Sequence, residues 1–307
     1  MAKRDLLSLK DLTTQEILDL ISRGRTFRAQ PEPAMSQGSL RGKTLGLLFE
    51  KASTRTRVSF EVAMAHLGGH SIFLSMEDLQ LRRGETIADT ARVLSRYLNG
   101  LVVRTFGQDT LVQWAQFSTI PVINGLTDLR HPCQVLGDLL TLQARFGTLE
   151  GLKLAYVGDG NNVAHSLIEG GAKVGMSISL ACPKGYGPDP AIVKAAQQEA
   201  RRTGGSIELA KDPRKAALGA DVLYTDVWVS MGKEREAKRR QKLLKPYQVN
   251  AKLLGMAKPH AVVMHCLPAH RGQEITAEVM DGPRSIVWEQ AENRLHIEKA
   301  ILEWLLG

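Results

Sequence analysis

Short apolar runs alternate with helical patterns along most of this chain, and that alternation constrains the fold more than any single residue. Runs at 44–49, 70–74, 101–104 and 121–124 read as buried strands, as do 152–157, 177–181, 207–209, 222–224, 262–265 and 285–288. Between them lie helical patterns. Thr13 and Glu16 form a capping-box pattern ahead of Ile17, Leu18 and Ile21. Val58, Val62, Ala65 and His66 share one face of the next helix, closed by Gly68-Gly69. Ile87, Ala91, Leu94 and Leu98 form a third helix, ended by Gly100. Further helices are expected at 107–117, 131–146, 162–173, 189–202 and 291–306, with a break at Gln30-Pro31-Glu32-Pro33 and a long charged loop at 226–245. Strand–helix alternation predicts parallel sheets with right-handed crossovers. The pattern restarts after Gly147. The expected fold is therefore α/β, with two doubly wound parallel-sheet domains linked by helices, at 1–146 and 147–290, the first completed by the C-terminal helix 291–307.

The polar residues with chemical potential share one placement. Ser53 to Arg57, Arg104, His131, Asn162, Asp226 and Cys266 each follow the carboxyl end of an expected strand. In open α/β sheets that edge is where ligands bind. The densest group is Glu50-Lys-Ala-Ser-Thr-Arg-Thr-Arg-Val-Ser-Phe60. It places hydroxyls and two guanidinium groups in the first turn of a helix, where unpaired amides and the positive end of the dipole favour anions. Cations there oppose the dipole unless an anion or carboxylate compensates. Ser53, Thr54 and Thr56 can donate to phosphate oxygens, and Arg55 can grip a phosphate through two parallel bonds. The plain alternative is a capped helix with a solvated basic turn.

Other residues have their own alternatives. Arg104 reads as a cation beside a developing oxyanion, or as one half of an ion pair with Asp128. His131-Pro-Cys-Gln134 opens a helix with proline in its first turn, where His131 can polarise a carbonyl and Gln134 can meet an amide. Gly158-Asp-Gly-Asn-Asn-Val163 fails the dinucleotide fingerprint, because Val163 replaces the third glycine and Ala181-Cys-Pro183 ends the next strand without an acid. Asn162 then reads as a substrate contact. Asp226 can pair with an ammonium or serve as a turn residue. The charge run at 235–245 reads as a solvated helix face. Cys266 beside histidines suggests a thiolate nucleophile, but strand alternation points His265 to the opposite face.

Composition excludes some classes. The 307-residue chain is 43% hydrophobic, enough for a sizeable core, yet no apolar run approaches the roughly 18 residues of a membrane span. No apolar segment follows Met1-Ala-Lys-Arg-Asp5, so no signal peptide is expected. Three scattered cysteines suit a reducing, cytoplasmic compartment and show no metal spacing. The formal charge of +8 raises nucleic acid as a partner, but aromatics are only 5% and the basic surplus is local, so none is expected.

Ser53 to Arg57, His131 to Gln134 and His265 to Gly272 together resemble the transcarbamoylase family over essentially the whole chain. Asp226-Val-Trp-Val-Ser-Met-Gly232 and His265-Cys-Leu-Pro268 resemble its ornithine branch rather than its aspartate branch. The resemblance implies that residues 1–146 bind carbamoyl phosphate and 147–290 bind ornithine, giving citrulline and phosphate with neither metal nor cofactor. It implies that Ser53, Thr54, Arg55, Thr56, Arg104, His131 and Gln134 bind carbamoyl phosphate, joined by Gln80 from a neighbouring subunit of a homotrimer. Asn162, Asp226, Ser230 and Met231 would bind ornithine, and Cys266, Leu267 and Arg294 would complete the site. Catalytic roles would fall to Arg104, His131, Asp226 and Cys266. One departure stands out: Arg82 occupies a position that is usually glycine in the family, which bears on the path of the loop around Gln80.

Overall fold

The computed structural model describes residues 3–30, 38–77, 79–230, 232 and 234–307. Pro31 to Pro33 of the expected break, and Met231 of the expected site, lie outside those residues. The chain divides into two compact units, Met1–Leu140 with Asn293–Gly307, and Thr141–Glu292. Both are parallel-sheet α/β units.

In the first unit, α1 (Thr14–Ala29) starts on a complete capping box between Thr13 and Glu16. There follow β1 (Thr44–Phe49), α2 (Thr54–His66), β2 (His70–Ser75), α3 (Ile87–Tyr97), β3 (Gly100–Arg104), α4 (Gln108–Phe117), β4 (Val122–Leu126) and α5 (Pro132–Phe146). The strand order is β2-β1-β3-β4, with Leu47 in register with Phe73 on one side and Val102 on the other. Leu6 lies beside β4, donating to Val122 and accepting from Asn124, so the β4 edge has backbone partners there.

Two expectations need correction here. Helix α2 does not bury Val58, Val62, Ala65 and His66; it buries Thr56, Phe60, Ala63 and Met64, and Val58 is 50% exposed. The stripe from Thr56 carries the largest apolar side chain, Phe60, and so gains most from facing the sheet. Gly68 does end this helix, with φ +76 and the paired backbone bonds of a left-handed C-terminal turn. The second correction concerns Gly100, which opens β3 instead of closing α3.

The second unit contains β5 (Lys153–Val157), α6 (Asn162–Lys173), β6 (Ser177–Ala181), α7 (Pro190–Thr203), β7 (Ser206–Ala210), α8 (Pro213–Ala217), β8 (Val222–Thr225), α9 (Ala237–Leu244), α10 (Ala251–Leu254), β9 (Val262–His265) and α11 (Ala277–Met280). Its order is β7-β6-β5-β8-β9. Helix α12 (Val287–Leu306) runs on into the first unit's C-terminal segment.

Residues 226–245 are not a continuous loop, since α9 occupies their second half with Arg240 and Leu244 buried. This helix agrees with the helix face read for 235–245. Nor is 285–288 a strand. Ser285 makes a single bridge to Val263, and α12 already begins at Val287. Branched Ile286 and Val287 mimic a strand in sequence, but Gln290 bonds back to the Ile286 carbonyl and commits the segment to helix.

Each sheet reverses direction once. The first does so between β1 and β3, the second between β5 and β8. Crevices form at the carboxyl ends of strands at such reversals. If Phe60 anchors α2 as its complete burial indicates, Phe60→Ala should cost about 3–5 kcal/mol of stability, measured by urea unfolding.

Candidate active site

At the β1/β3 reversal the chain builds a cationic cluster. Ser53 caps α2, its hydroxyl accepting from the Thr56 amide at 3.2 Å. Thr54 and Arg55 are exposed on the first turn, and Thr56 is buried beneath them. Arg57 leaves the group. It pairs with Glu61 at 2.9 Å and stacks on Phe73, so the carboxylate compensation required in that turn is met locally for Arg57. Arg104, buried at the end of β3, donates to the Lys51 carbonyl at 3.1 Å. Its suggested partner Asp128 instead pairs with Lys51, whose ammonium also lies over the Phe106 ring.

His131 is placed by a tight turn. The Thr127 amide donates to the Arg130 carbonyl at 2.9 Å, and the Arg130 amide donates to Thr127 Oγ1 at 3.1 Å. Pro132 then opens α5. One turn later, Gln134 accepts from Arg294 Nη1 and donates to Asp138, both at 2.8 Å. Gln134 is thus a strut for Arg294. Gly137 allows the close approach, because a Cβ there would lie 3.2 Å from Arg294 Cδ. Arg294 is also held by Glu298, four residues on.

Charge in this cluster is one-sided. Burial, then Arg294 and Arg55, push the Arg104 guanidinium down to about 10, still charged at neutral pH. Burial, then Arg294, Arg104 and Arg55, hold His131 well below the usual imidazole range, so it is neutral. Several cations beside a neutral imidazole at a helix start form a site for a multiply charged oxyanion.

Gln80 is exposed on a single turn, Gln80–Arg83. Arg82 fits this right-handed turn, 4.0 Å from Glu77, because the left-handed residue is Gly84 at φ +97.

At the β5/β8 reversal the second unit builds an acidic site. Asp226 follows β8 and is buried. One carboxylate oxygen accepts from the Val227 amide at 2.7 Å and from the Cys266 thiol at 2.9 Å. The other accepts from Asn161 Nδ2 at 2.6 Å. Asn161 also caps α6, accepting from Val163 and Ala164, and meets the Tyr156 hydroxyl at 3.2 Å. Asn162, the expected contact, is the first residue of that helix and half-buried. Ser230 is half-buried, and Gly232 takes φ +89.

His265 is closer to Cys266 than strand alternation implies. Donor atoms of Asp226, His265 and Cys266 all lie within 4.8 Å of one another, because β9 ends at His265 and the chain turns through Leu267 at φ 60. His265 is nonetheless occupied. Its Nδ1 accepts from the Leu267 amide at 2.9 Å, leaving Nε2–H for Glu274 at 3.2 Å. It therefore cannot take the thiol proton, and a metal could enter this trio only by displacing those bonds.

The charge run does present a solvated face, with Arg235, Lys238, Arg239, Lys242 and Lys245 exposed, and Arg240 is the exception. It is 5% exposed, donates to Asp159 at 2.6 Å, to the Trp228 carbonyl at 3.2 Å and to Glu236 at 2.9 Å, and lies over Tyr186. The arginine fastens the strand-end segments after β5 and β8 to α9. Gly160 packs beneath them, since a Cβ there would meet Pro188 N at 2.3 Å.

Sequence reasoning missed Lys51, Asn161, Arg240 and Glu298. Asn161 had a signal, asparagine at a helix N-cap. So did Glu298, four residues from Arg294 on one helix. Nothing local marked Arg240 among its basic neighbours.

Residues 4–144 match the family described as aspartate/ornithine carbamoyltransferase, carbamoyl-P binding domain. Residues 150–305 match the companion Asp/Orn binding domain. The chain belongs to the aspartate/ornithine carbamoyltransferase family. It is 53% identical over 307 residues to the anabolic ornithine carbamoyltransferase of Pyrococcus furiosus, covering 100% of this chain and 98% of that one. With the ornithine carbamoyltransferase of Gloeobacter violaceus it shares 56% identity over 303 residues, covering 99% and 96%. The solved Pyrococcus furiosus enzyme superposes with a TM-score of 0.95, covering 100% and 98%. The Thermus thermophilus enzyme, 42% identical, gives 0.89 with 99% coverage of each chain.

Two predictions follow from the site chemistry. Arg240→Met strips the buried Asp159 carboxylate of its guanidinium partner and should destabilise the protein by about 3–5 kcal/mol in thermal or urea unfolding, with Arg240→Lys recovering only part. For His131, the folded pKa is depressed below an unfolded value of about 6.5, so the unfolded chain takes up the extra proton as pH falls. The contribution of His131 to stability is fully present above about pH 6.5 and is lost below it. His131→Gln should flatten that part of the stability–pH curve, read from melting temperatures at pH 5 to 7.5.

Proposed function

We propose that this protein transfers the carbamoyl group of carbamoyl phosphate to the side-chain amine of L-ornithine, giving L-citrulline and phosphate. The observation that carries this reading is that a chain of this family has a cationic strand-end cluster in its first unit and, separately, a buried, hydrogen-bonded carboxylate in its second. Ser53, Thr54, Arg55 and Thr56 take the phosphoryl oxygens of carbamoyl phosphate, using the amides and dipole of α2 as well as their side chains. Arg104, His131 and Thr56 face the carbamoyl oxygen. Gln134 holds Arg294 within the same cluster, and Gln80 enters from a neighbouring copy of the chain. Asp226 takes the ornithine ammonium, assisted by Asn162, Ser230 and Met231. Cys266 and Leu267 shape that end, the thiol orienting the Asp226 carboxylate.

The chemistry follows from charge. A free amine of this kind has a pKa of about 10.4 and attacks only after losing its proton. The neutral amine adds to the carbamoyl carbon. Negative charge moves to the carbamoyl oxygen, where Arg104 and the neutral His131 stabilise it. The C–O bond to phosphate then breaks, and phosphate departs into the Arg55 helix start while the new nitrogen loses its remaining extra proton. An acyl phosphate is already activated, so the reaction requires neither metal nor organic cofactor. The anabolic name of the Pyrococcus furiosus relative supports a place in arginine synthesis. Assembly as a homotrimer, or a multiple of it, and a cytoplasmic location complete the reading. No helix among the described residues is long and apolar enough to cross a membrane.

Citrulline formation from carbamoyl phosphate and ornithine tests the proposal, with putrescine and acetylated ornithine as competing amines. Turnover restricted to another amine would reassign the substrate. Asp226→Asn should raise the KM for ornithine at least tenfold and leave that for carbamoyl phosphate within about twofold. Equal weakening of both would assign Asp226 to the scaffold.

A further inference from the structure

The cationic cluster has a buried acidic backing that the proposed chemistry does not use. Glu298 on α12 is fully buried and accepts from Arg294 Nε at 3.0 Å and from Arg294 Nη2. Both donors converge on one oxygen of that carboxylate, Oε1, while its Oε2 is buried with no hydrogen-bond partner. From the other side, Gln134 of α5 accepts from Arg294 Nη1. One carboxylate thus holds Arg294 from within its own helix. Gln134 in turn connects Arg294 to the helix that begins beside His131.

We propose that Glu298 is a positioning residue of the phosphate site: it fixes Arg294 and supplies the opposing charge that limits how tightly the departing phosphate is held. The reason is electrostatic. A helix start lined by arginines at low dielectric binds an oxyanion strongly, and product phosphate benefits as much as substrate. Tight binding of both gives no advantage to the chemical step and slows turnover at product release. A fixed negative charge behind one arginine weakens the field at the anion without removing a donor. Burial pushes the Glu298 carboxyl up and Arg294 pulls it back down, and the two guanidinium donors converging on Oε1 are the geometry of an ion pair. The same carboxylate, in turn, holds the Arg294 guanidinium charged despite burial.

The inference rests on assigning this cluster to carbamoyl phosphate. Its test compares wild type and Glu298→Gln as full-length enzymes, with inorganic phosphate as the probe. Glutamine keeps the shape and an acceptor for Arg294 but removes the charge. The expected result is phosphate inhibition tighter by about threefold or more, a larger rise in melting temperature on adding phosphate, and an ornithine KM within about twofold of wild type. A purely structural residue would give weaker phosphate binding when replaced. Weaker or unchanged phosphate inhibition in the folded variant overturns the proposal. If Glu298→Gln does not fold, Glu298→Asp decides, because it keeps the charge and shortens the reach. Phosphate inhibition should then stay within about twofold of wild type while the KM for carbamoyl phosphate rises, since Arg294 is drawn back. Tightened phosphate inhibition in Glu298→Asp, or an unchanged KM for carbamoyl phosphate, overturns the proposal. Wild type that forms citrulline while the variants fail these expectations refutes the role of Glu298 alone. Wild type that binds no phosphate removes the underlying assignment as well.

Discussion

Several guanidinium groups held near one another in a buried place are unfavourable by themselves, and much of the first unit is organised around tolerating that. Arg104 has its proton affinity lowered by burial and by its neighbours Arg294 and Arg55. Desolvated like charges persist only where fixed groups oppose them or a ligand does. Glu298 and Gln134 restrain Arg294, the Lys51 carbonyl restrains Arg104, and Glu61 draws Arg57 out of the cluster. Beside the α2 start Arg55 and Arg104 keep positive charge concentrated at a helix N-terminus, an arrangement that suits an oxyanion. The neutral state of His131 has the same origin, since burial and nearby cations make a second proton there costly.

The second unit solves the reverse problem. A carboxylate meant to receive a cation must be oriented without being neutralised. Asp226 is held by an amide, a thiol and an asparagine side chain, all of them uncharged donors. A buried cation of this unit, Arg240, is committed elsewhere, to Asp159 and to the Trp228 carbonyl. Of these two carboxylates, Asp159 anchors the segment after β8 through Arg240, while Asp226 is held by uncharged donors. Cys266 fits this arrangement as a donor to Asp226, and the hydrogen bonds of His265 keep that imidazole from serving as its base.

Both sites stand where a parallel sheet reverses its strand order, and that placement joins fold to function. Strand polarity puts loop residues and helix starts on one edge, so every crossover delivers a polar segment to the same side. The reversal opens space between adjacent crossovers. Ser53 and Arg104 come from the strands flanking one reversal, Asn161 and Asp226 from those flanking the other. Gly160 lets neighbouring chain approach within a distance that a Cβ would block, and a Cβ at Gly137 would crowd Arg294.

The sequence alone determined the α/β class, all but one of the strands assigned from it, and the set of strand ends that carry polar chemistry, because hydrophobic period and helix-start composition are local properties. Ser53 as a cap and Thr13 with Glu16 as a capping box were legible for the same reason. Only the tertiary structure decided which face of α2 is buried, since Val58 and Phe60 are both apolar and the choice depends on what the sheet offers. It decided that 285–288 feeds a helix, where one bridge to Val263 could not compete with helical bonding. It decided the partners of charged residues: Asp128 with Lys51, Arg240 with Asp159, Glu298 with Arg294. Residues far apart in sequence meet through the packing of whole elements, and a charge run such as 235–245 looks equally solvated whether or not one of its arginines is buried. Local chemistry names the residues able to act; burial and long-range pairing select which of them keep a charge free to act.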